Sequence, residues 1–219
     1  MNPAGTSTYT LPIEEVVQRI VTLNEGLRDF WSSSHGWAPA EAADLLGRSR
    51  LDWQVSLSKS LSRWVDEPRI DDQAAVQILG YANVGTLVEG TLKVFLGVYI
   101  KDYQRSAKKI MSYRREQDPD GAALGALRRF FKNSIWRSDP SDDWDPWIQR
   151  IQNRRNAIHA FQDRDIGVHA DLIDDIRRYL IFLRRINGQL PYPDDGEGPI
   201  ESYDQTFREY DWETDAPSI

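Results

Sequence analysis

Apolar residues recur at helical spacing along most of this chain. In 13–31, "IEEVVQRIVTLNEGLRDFW", one helical face collects Ile13, Val16, Val17, Ile20, Leu23, Leu27 and Phe30, and Pro12 sits suitably at the start. A loop, "SSSHGW", follows. Pro39 opens a short helix that ends near Gly47, and Leu51, Val55, Leu57, Leu61, Trp64 and Val65 mark another over 51–65. The longest helix is predicted over 71–116, with Val76, Leu79, Val84, Leu87, Val88, Leu92, Phe95, Leu96 and Tyr99 as its apolar set. Gly80, Gly85, Gly90 and Gly97 interrupt it. Each glycine costs roughly 1 kcal/mol against alanine in a helix, so they point to close helix packing or to a kink that splits the helix. A short helix over 122–134 comes next. The loop "WRSDPSDDWD" then leads to Pro146 and a helix over 146–161. Leu172, Ile176, Leu180, Leu183 and Ile186 mark a last core helix over 169–187. Strand alternation is nowhere sustained. The predicted fold class is all-α, a helical bundle of four to five main helices.

A chain of 219 residues with 40% apolar content can bury one good core, or form one domain with appendages. The pattern divides it into an N-terminal helical region (1–70), a helical core (71–187) and a C-terminal tail (188–219). No apolar run reaches the length of a membrane span, so no membrane association is expected. The first residues lack the basic and apolar regions of a signal peptide. Cysteine is absent, which rules out disulfides, thiolate nucleophiles and Cys-ligated zinc and fits a cytoplasmic location. The three histidines, His35, His159 and His169, are scattered and show no metal-ligand spacing. Neither a metal nor a cofactor is expected.

The net charge of −7 argues at first against a nucleic-acid partner, but the charge is uneven. The tail carries nine acids and one arginine, a local sum of −8, which leaves the body almost neutral. Such a body can still hold a basic cleft. The tail's acidity favours disorder. Its aromatics, Tyr192, Tyr203, Phe207, Tyr210 and Trp212, favour docking. The charge split suggests that the tail covers a basic cleft in competition with RNA.

The stretch "NRRNAIHAF", 153–161, sets two arginines, an asparagine and a histidine inside an apolar helical run. At about 100° per residue, Trp147, Ile148, Ile151 and Ile158 form an apolar stripe. Arg155 falls inside that stripe, Arg154 and His159 lie at its opposite edges, and Asn156 is well off it. Arg155 and His159 share a face at i, i+4 spacing. A cation within an apolar stripe needs a partner, a route to water or a cleft, and a two-fold seam would supply the cleft. The plain reading is structural, because arginines suit the last turn of a helix. The chemical reading is metal-independent RNA cleavage. Histidine passes a proton to or from the 2′-hydroxyl or the leaving 5′-oxygen, and arginine holds the phosphate. Only RNA offers the internal 2′-hydroxyl nucleophile.

"RRNAIH" resembles the Arg–polar–x–x–x–His signature of the HEPN-domain family. The long-helix stretch "YANVGTLVEGTLKVFLGVYIKDY" also resembles the core helix of HEPN-like bacterial proteins. The resemblance covers 71–187. It implies a HEPN-like helical fold, often homodimeric, in which an arginine and a histidine from each of two subunits line a composite RNA-cleaving site. It further implies a toxin or antiviral-defence effector, with an antitoxin or other regulatory protein as a possible partner. The family arginine falls on Arg154, the polar position on Arg155 and the histidine on His159. The family's polar residue is usually Asn, Asp or His, and here it is Arg155. The "RN" pair occurs as Arg155–Asn156, one residue too close to His159. The pattern therefore selects Arg154, whereas helical spacing selects Arg155.

Glu89, an acid within the apolar run of the long helix, is a candidate partner for Arg154 or Arg155, or else a solvated glutamate. Asp163, Arg164 and Asp165 read as a solvated turn or as the rim of a cleft. Lys108, Lys109, Arg114 and Arg115, with Lys101 and Arg105 upstream, and Arg128, Arg129 and Lys132 form basic patches. These suit RNA backbone contact or a solvated face. Two further readings remain. One is a non-catalytic binding or adaptor protein. The other is a helix-turn-helix DNA-binding unit over 38–64, whose residues 48–63 sum to +3. Its aromatic and aliphatic residues read as packing, and its turn reads as longer than usual.

Overall fold

The computed structural model describes residues 8–113, 115–136, 143–159 and 163–192. Among these are eight α-helices: α1 (Ile13–Trp31), α2 (Ala40–Arg48), α3 (Leu51–Ser60), α4 (Gln73–Val98), α5 (Ile100–Arg105), α6 (Leu124–Ser134), α7 (Trp144–Arg155) and α8 (His169–Asn187). The protein is all-α in character, but the expected bundle of four to five main helices is incorrect. The short helices are full members of the core. Ala42, Ala43, Leu45 and Leu46 of α2 are buried, and so are Leu124, Leu127, Phe130 and Phe131 of α6.

The central element is α4, which packs against α2, α3, α6, α7 and α8. Its apolar residues run nearly all round it, as a helix enclosed by others requires. The four glycines admit four of those neighbours: Gly80 faces Leu172, Gly85 faces Arg155, Gly90 faces Gln54 and Gly97 faces Leu46. One strip of α4 escapes full burial: Leu79, Ala82, Thr86, Glu89 and Lys93, at three- and four-residue spacing. Leu79, expected in the core, is 46% exposed there. One cluster of buried residues joins Val16 and Ile20 of α1 to Leu87 and Leu92 of α4 and to Ile176 and Leu180 of α8.

The helix predicted over 71–116 is shorter than its pattern. It breaks at Tyr99, where the backbone leaves helical geometry, resumes as α5 and stops at Ser106, whose backbone is extended. Two short strands then pair antiparallel, β1 (Met111–Ser112) and β2 (Arg115–Glu116). Arg114 lies outside the described residues. The connection between α2 and α3 is only Ser49 and Arg50, so the expected long turn is absent and Gly47 lies inside α2.

Tyr192 docks on α1. Its ring meets Phe30 and Trp31 at centroid distances of 5.0 and 5.7 Å, and the Trp31 indole N–H donates to its hydroxyl at 3.4 Å. The acidic remainder of the tail, 193–219, lies outside the described residues, as does its expected cover over a basic cleft. Among the described residues no helix is long and apolar enough to cross a membrane.

Candidate functional site

The helix predicted over 146–161 ends earlier than its apolar spacing suggests. α7 stops at Arg155, and the chain tightens into a 3-10 turn over Asn156–His159. The tighter turn rotates successive side chains by about 120° rather than 100°. Ile158, expected in the apolar stripe, is accordingly 48% exposed, and His159 is exposed as well. Residues 160–162 lie outside the described residues.

Arg154, expected at a stripe edge, is the most buried of the motif's polar residues, at 7% exposure. Its guanidinium donates to the Tyr81 hydroxyl at 2.5 Å and to Asp171 Oδ2 at 3.0 Å. Asp175 lies 3.5 Å away. Asp175, almost fully buried, accepts from the Tyr81 hydroxyl at 3.0 Å, the Trp147 indole at 2.9 Å and Arg150 at 2.6 Å. Burial opposes the charge on Arg154, but Tyr81, Asp171 and Asp175 outweigh it and raise its pKa. Burial first, and then Asp175, push the Tyr81 hydroxyl far above its ordinary value. The network closes the α4–α7–α8 junction with paired charges, as buried ions require.

Gly167 lets this network form. Its backbone is left-handed, with φ of +68°, and a Cβ there would lie 2.6 Å from the Arg154 guanidinium carbon and from Asp171 Oδ2. Beside it, Asp171 accepts the Val168 N–H at 3.0 Å and so holds the start of α8.

Arg155 takes a different partner. Its side chain lies over Gly85, and its Nη1 donates to Glu89 Oε2 at 2.6 Å. Glu89 also accepts from Lys93 at 2.8 Å. Burial pulls the Glu89 pKa upward, but Arg155 and Lys93 outweigh it and hold the carboxyl below its ordinary value. The pair lies on the one strip of α4 left partly open. Asn156 is half-buried at the α7 terminus, and no hydrogen bond engages its side chain within the described chain. Asp163 and Asp165 line an open cleft of about 570 Å³ with Arg150, Asn153, Arg154 and Arg164.

The site residues therefore separate. Arg155 and Glu89 pair on the α4–α7 surface, whereas Arg154 turns inward, and His159 is exposed on the 3-10 turn that follows, where the expected i, i+4 face shared with Arg155 is lost. The other histidines lie elsewhere: His35 pairs with Asp44, and His169 bonds the Trp64 carbonyl oxygen at 2.9 Å. No family model matches the chain, and neither a curated protein nor a solved structure matches it. Among the described residues no group of three or more histidines, aspartates or glutamates could hold a metal ion.

Sequence reasoning missed Tyr81, Asp171 and Asp175. Asp175 carried a legible signal, because it sits between Leu172 and Tyr179 on the buried face of α8. An acid in an apolar stripe needs a buried partner, the same rule that singled out Glu89. Tyr81 left no such trace, since its ring reads as ordinary core.

Proposed function

We propose that this chain is a metal-independent endoribonuclease whose site is completed by a second copy of the chain. The observation that carries this reading is the placement of His159. It is exposed on the 3-10 turn that follows α7, four residues beyond Arg155, and α7 itself is anchored by buried charges. An imidazole so placed can move a proton at the 2′-hydroxyl or at the leaving 5′-oxygen. Arg155 keeps guanidinium donors beyond the one bound by Glu89, and these suit a phosphate and the charge that grows on it.

The reaction needs a base at the 2′-hydroxyl and an acid at the 5′-oxygen, and each chain offers one histidine at this turn. A two-fold pairing would bring a second His159 and Arg155 opposite the first. The partly open strip of α4 and the exposed Leu79 and Ile158 support that pairing. In this reading Arg154 is a positioning residue that fixes the end of α7. The resemblance of "RRNAIH" to the HEPN signature supports His159 alone, since its arginine falls on the inward Arg154; with it come a toxin or defence role, a cytoplasmic setting and control by an antitoxin or other regulatory protein.

The test is cleavage of single-stranded RNA and tRNA in EDTA. The expected products carry 2′,3′-cyclic phosphate ends, and His159→Ala abolishes them without changing helicity. A natively folded dimer that cuts neither RNA would sink the enzyme reading.

One observation favours a second reading, a non-catalytic binding module. Arg154 and Arg155 are both neutralised by carboxylates of their own chain. In that case His159→Ala would leave every RNA-dependent readout unchanged.

A further inference from the structure

We propose that the cavity between the α2–α3 corner and α4 binds a free α-amino acid with an apolar side chain. The side chain lies on a leucine and valine floor, the carboxylate meets Arg48 and the ammonium meets Asp120. Nothing in this assignment depends on the endoribonuclease reading.

The cavity has a volume of about 390 Å³, within the range of small-molecule sites. Its floor is Leu45 and Leu46 of α2, Leu51 of α3 and Val94 of α4, all buried. The frame around it is fixed. Only Ser49 and Arg50 join α2 to α3, and the Ser49 N–H and hydroxyl both donate to the Leu45 carbonyl, at 3.1 and 2.7 Å. Gly90 lets Gln54 lie against α4, where a Cβ would stand 2.2 Å from Gln54 Oε1. Asp120 comes from the 3-10 turn Pro119–Gly121, which packs against α4. Gln117 Nε2 pins that turn by donating to the Gly121 carbonyl at 2.6 Å.

Four charged side chains line the cavity, and two of them are already satisfied. Arg50 makes two bonds to Asp52, at 2.8 and 2.6 Å, and lies 4.1 Å over the Trp53 ring. Lys93 donates to Glu89 at 2.8 Å. Arg48 and Asp120 differ. They face each other at 3.9 Å, too far for a hydrogen bond. Asp120 Oδ1 accepts the Gly121 N–H at 2.9 Å. Among the described residues no hydrogen bond engages the Arg48 guanidinium or Asp120 Oδ2.

Each cation of the wall is thus matched by one acid, and no surplus charge attracts a simple anion or cation. What the wall offers is one unmet positive group beside one unmet negative group, above an apolar floor. An exposed pair at that distance contributes little stability, so a ligand that engages both groups gives up little. The two charges of an α-amino acid are also opposite in sign and are separated by a single carbon. Set antiparallel to Arg48 and Asp120, they give each group a charge-assisted hydrogen bond. The side chain then covers the floor and takes its apolar surface from water.

The test is calorimetric titration of the full chain with leucine and phenylalanine at neutral pH. At least one should bind, and glycine should bind more weakly. Isocaproate and hydrocinnamate lack the ammonium, and isoamylamine and phenethylamine lack the carboxylate. Each should bind roughly 10- to 150-fold more weakly than its parent, the effect of one lost charged hydrogen bond. Asp120→Asn keeps the bond to the Gly121 N–H. It should weaken the amino acid by a similar factor and leave the carboxylate analogue unchanged. Arg48→Gln should weaken the amino acid and leave the amine analogue unchanged. Both side chains are exposed, so both variants should keep the wild-type Tm. No binding by either amino acid would overturn the proposal. So would wild-type affinity in both variants. Isocaproate or inorganic phosphate binding as tightly as leucine and phenylalanine would also overturn it, because the cavity would then be a plain anion site.

Discussion

Arg154 and Arg155 are consecutive, yet different acids hold their guanidinia. Arg154 lies 3.0 Å from Asp171 and is nearly sealed, whereas Arg155 lies 2.6 Å from Glu89 at the edge of solvent. Asp175 keeps its bond from Arg150, so Arg154→Ala removes the hydrogen bonds to Tyr81 and Asp171 and should cost about 1.5–3 kcal/mol. Arg155→Ala breaks a partly solvated pair and should cost about 1 kcal/mol or less. Urea denaturation of both variants checks this, and equal costs would contradict the inward role of Arg154.

Gly167 offers an independent probe of the same network. Gly167→Ala places a methyl group against Arg154 and Asp171 and forces a left-handed alanine, itself a cost of about 1–2 kcal/mol. The total should exceed that figure, and Tm should fall accordingly. A neutral result would mean that the Arg154 network does not depend on this close approach.

Glu89 sets a pH dependence. Its folded-state pKa lies below the ordinary 4.5, so its stabilising contribution is present above that value and is lost as pH falls through the folded value. Wild type should therefore lose more stability than Glu89→Gln between neutral pH and acid. Urea midpoints at neutral pH and below pH 4.5 measure the difference, and parallel acid limbs would contradict it.

Tyr179 acts at the other end of the scale. Burial pushes its hydroxyl up to about 12, against an ordinary 10, and it meets Thr91 Oγ1 at 3.1 Å. A raised folded-state pKa gives stability that is present below pH 10 and lost as pH climbs toward 12. Tyr179→Phe should be less stable at neutral pH, through the lost hydrogen bond, and less sensitive to alkali. Chemical denaturation at pH 8 and above pH 10 tests both signs.

Much of the helical layout was legible in the chain. Pro12 and the apolar spacing mark α1 at the residues it occupies, and Leu172 to Ile186 mark α8. The glycines of the long helix did signal close packing. What failed was the length of that helix, because periodicity does not register a break such as Tyr99 or the turn at Tyr113. The motif helix failed similarly. A uniform helical wheel cannot anticipate a change to 3-10 geometry after Arg155, so Ile158 appeared inside and Arg154 at the edge.

By itself, the sequence determined the all-α character, the starts of α1, α3 and α8, and the set of polar residues inside apolar runs: Arg154, Arg155, Asn156, His159 and Glu89. Local propensity and apolar spacing are written residue by residue, so they can be read without a partner. Only the tertiary structure decided which arginine turned inward. That choice depends on Tyr81, Asp171 and Asp175, which reach Arg154 from other helices. A buried charge settles where distant acids can neutralise it, and no spacing within α7 encodes where those acids will be.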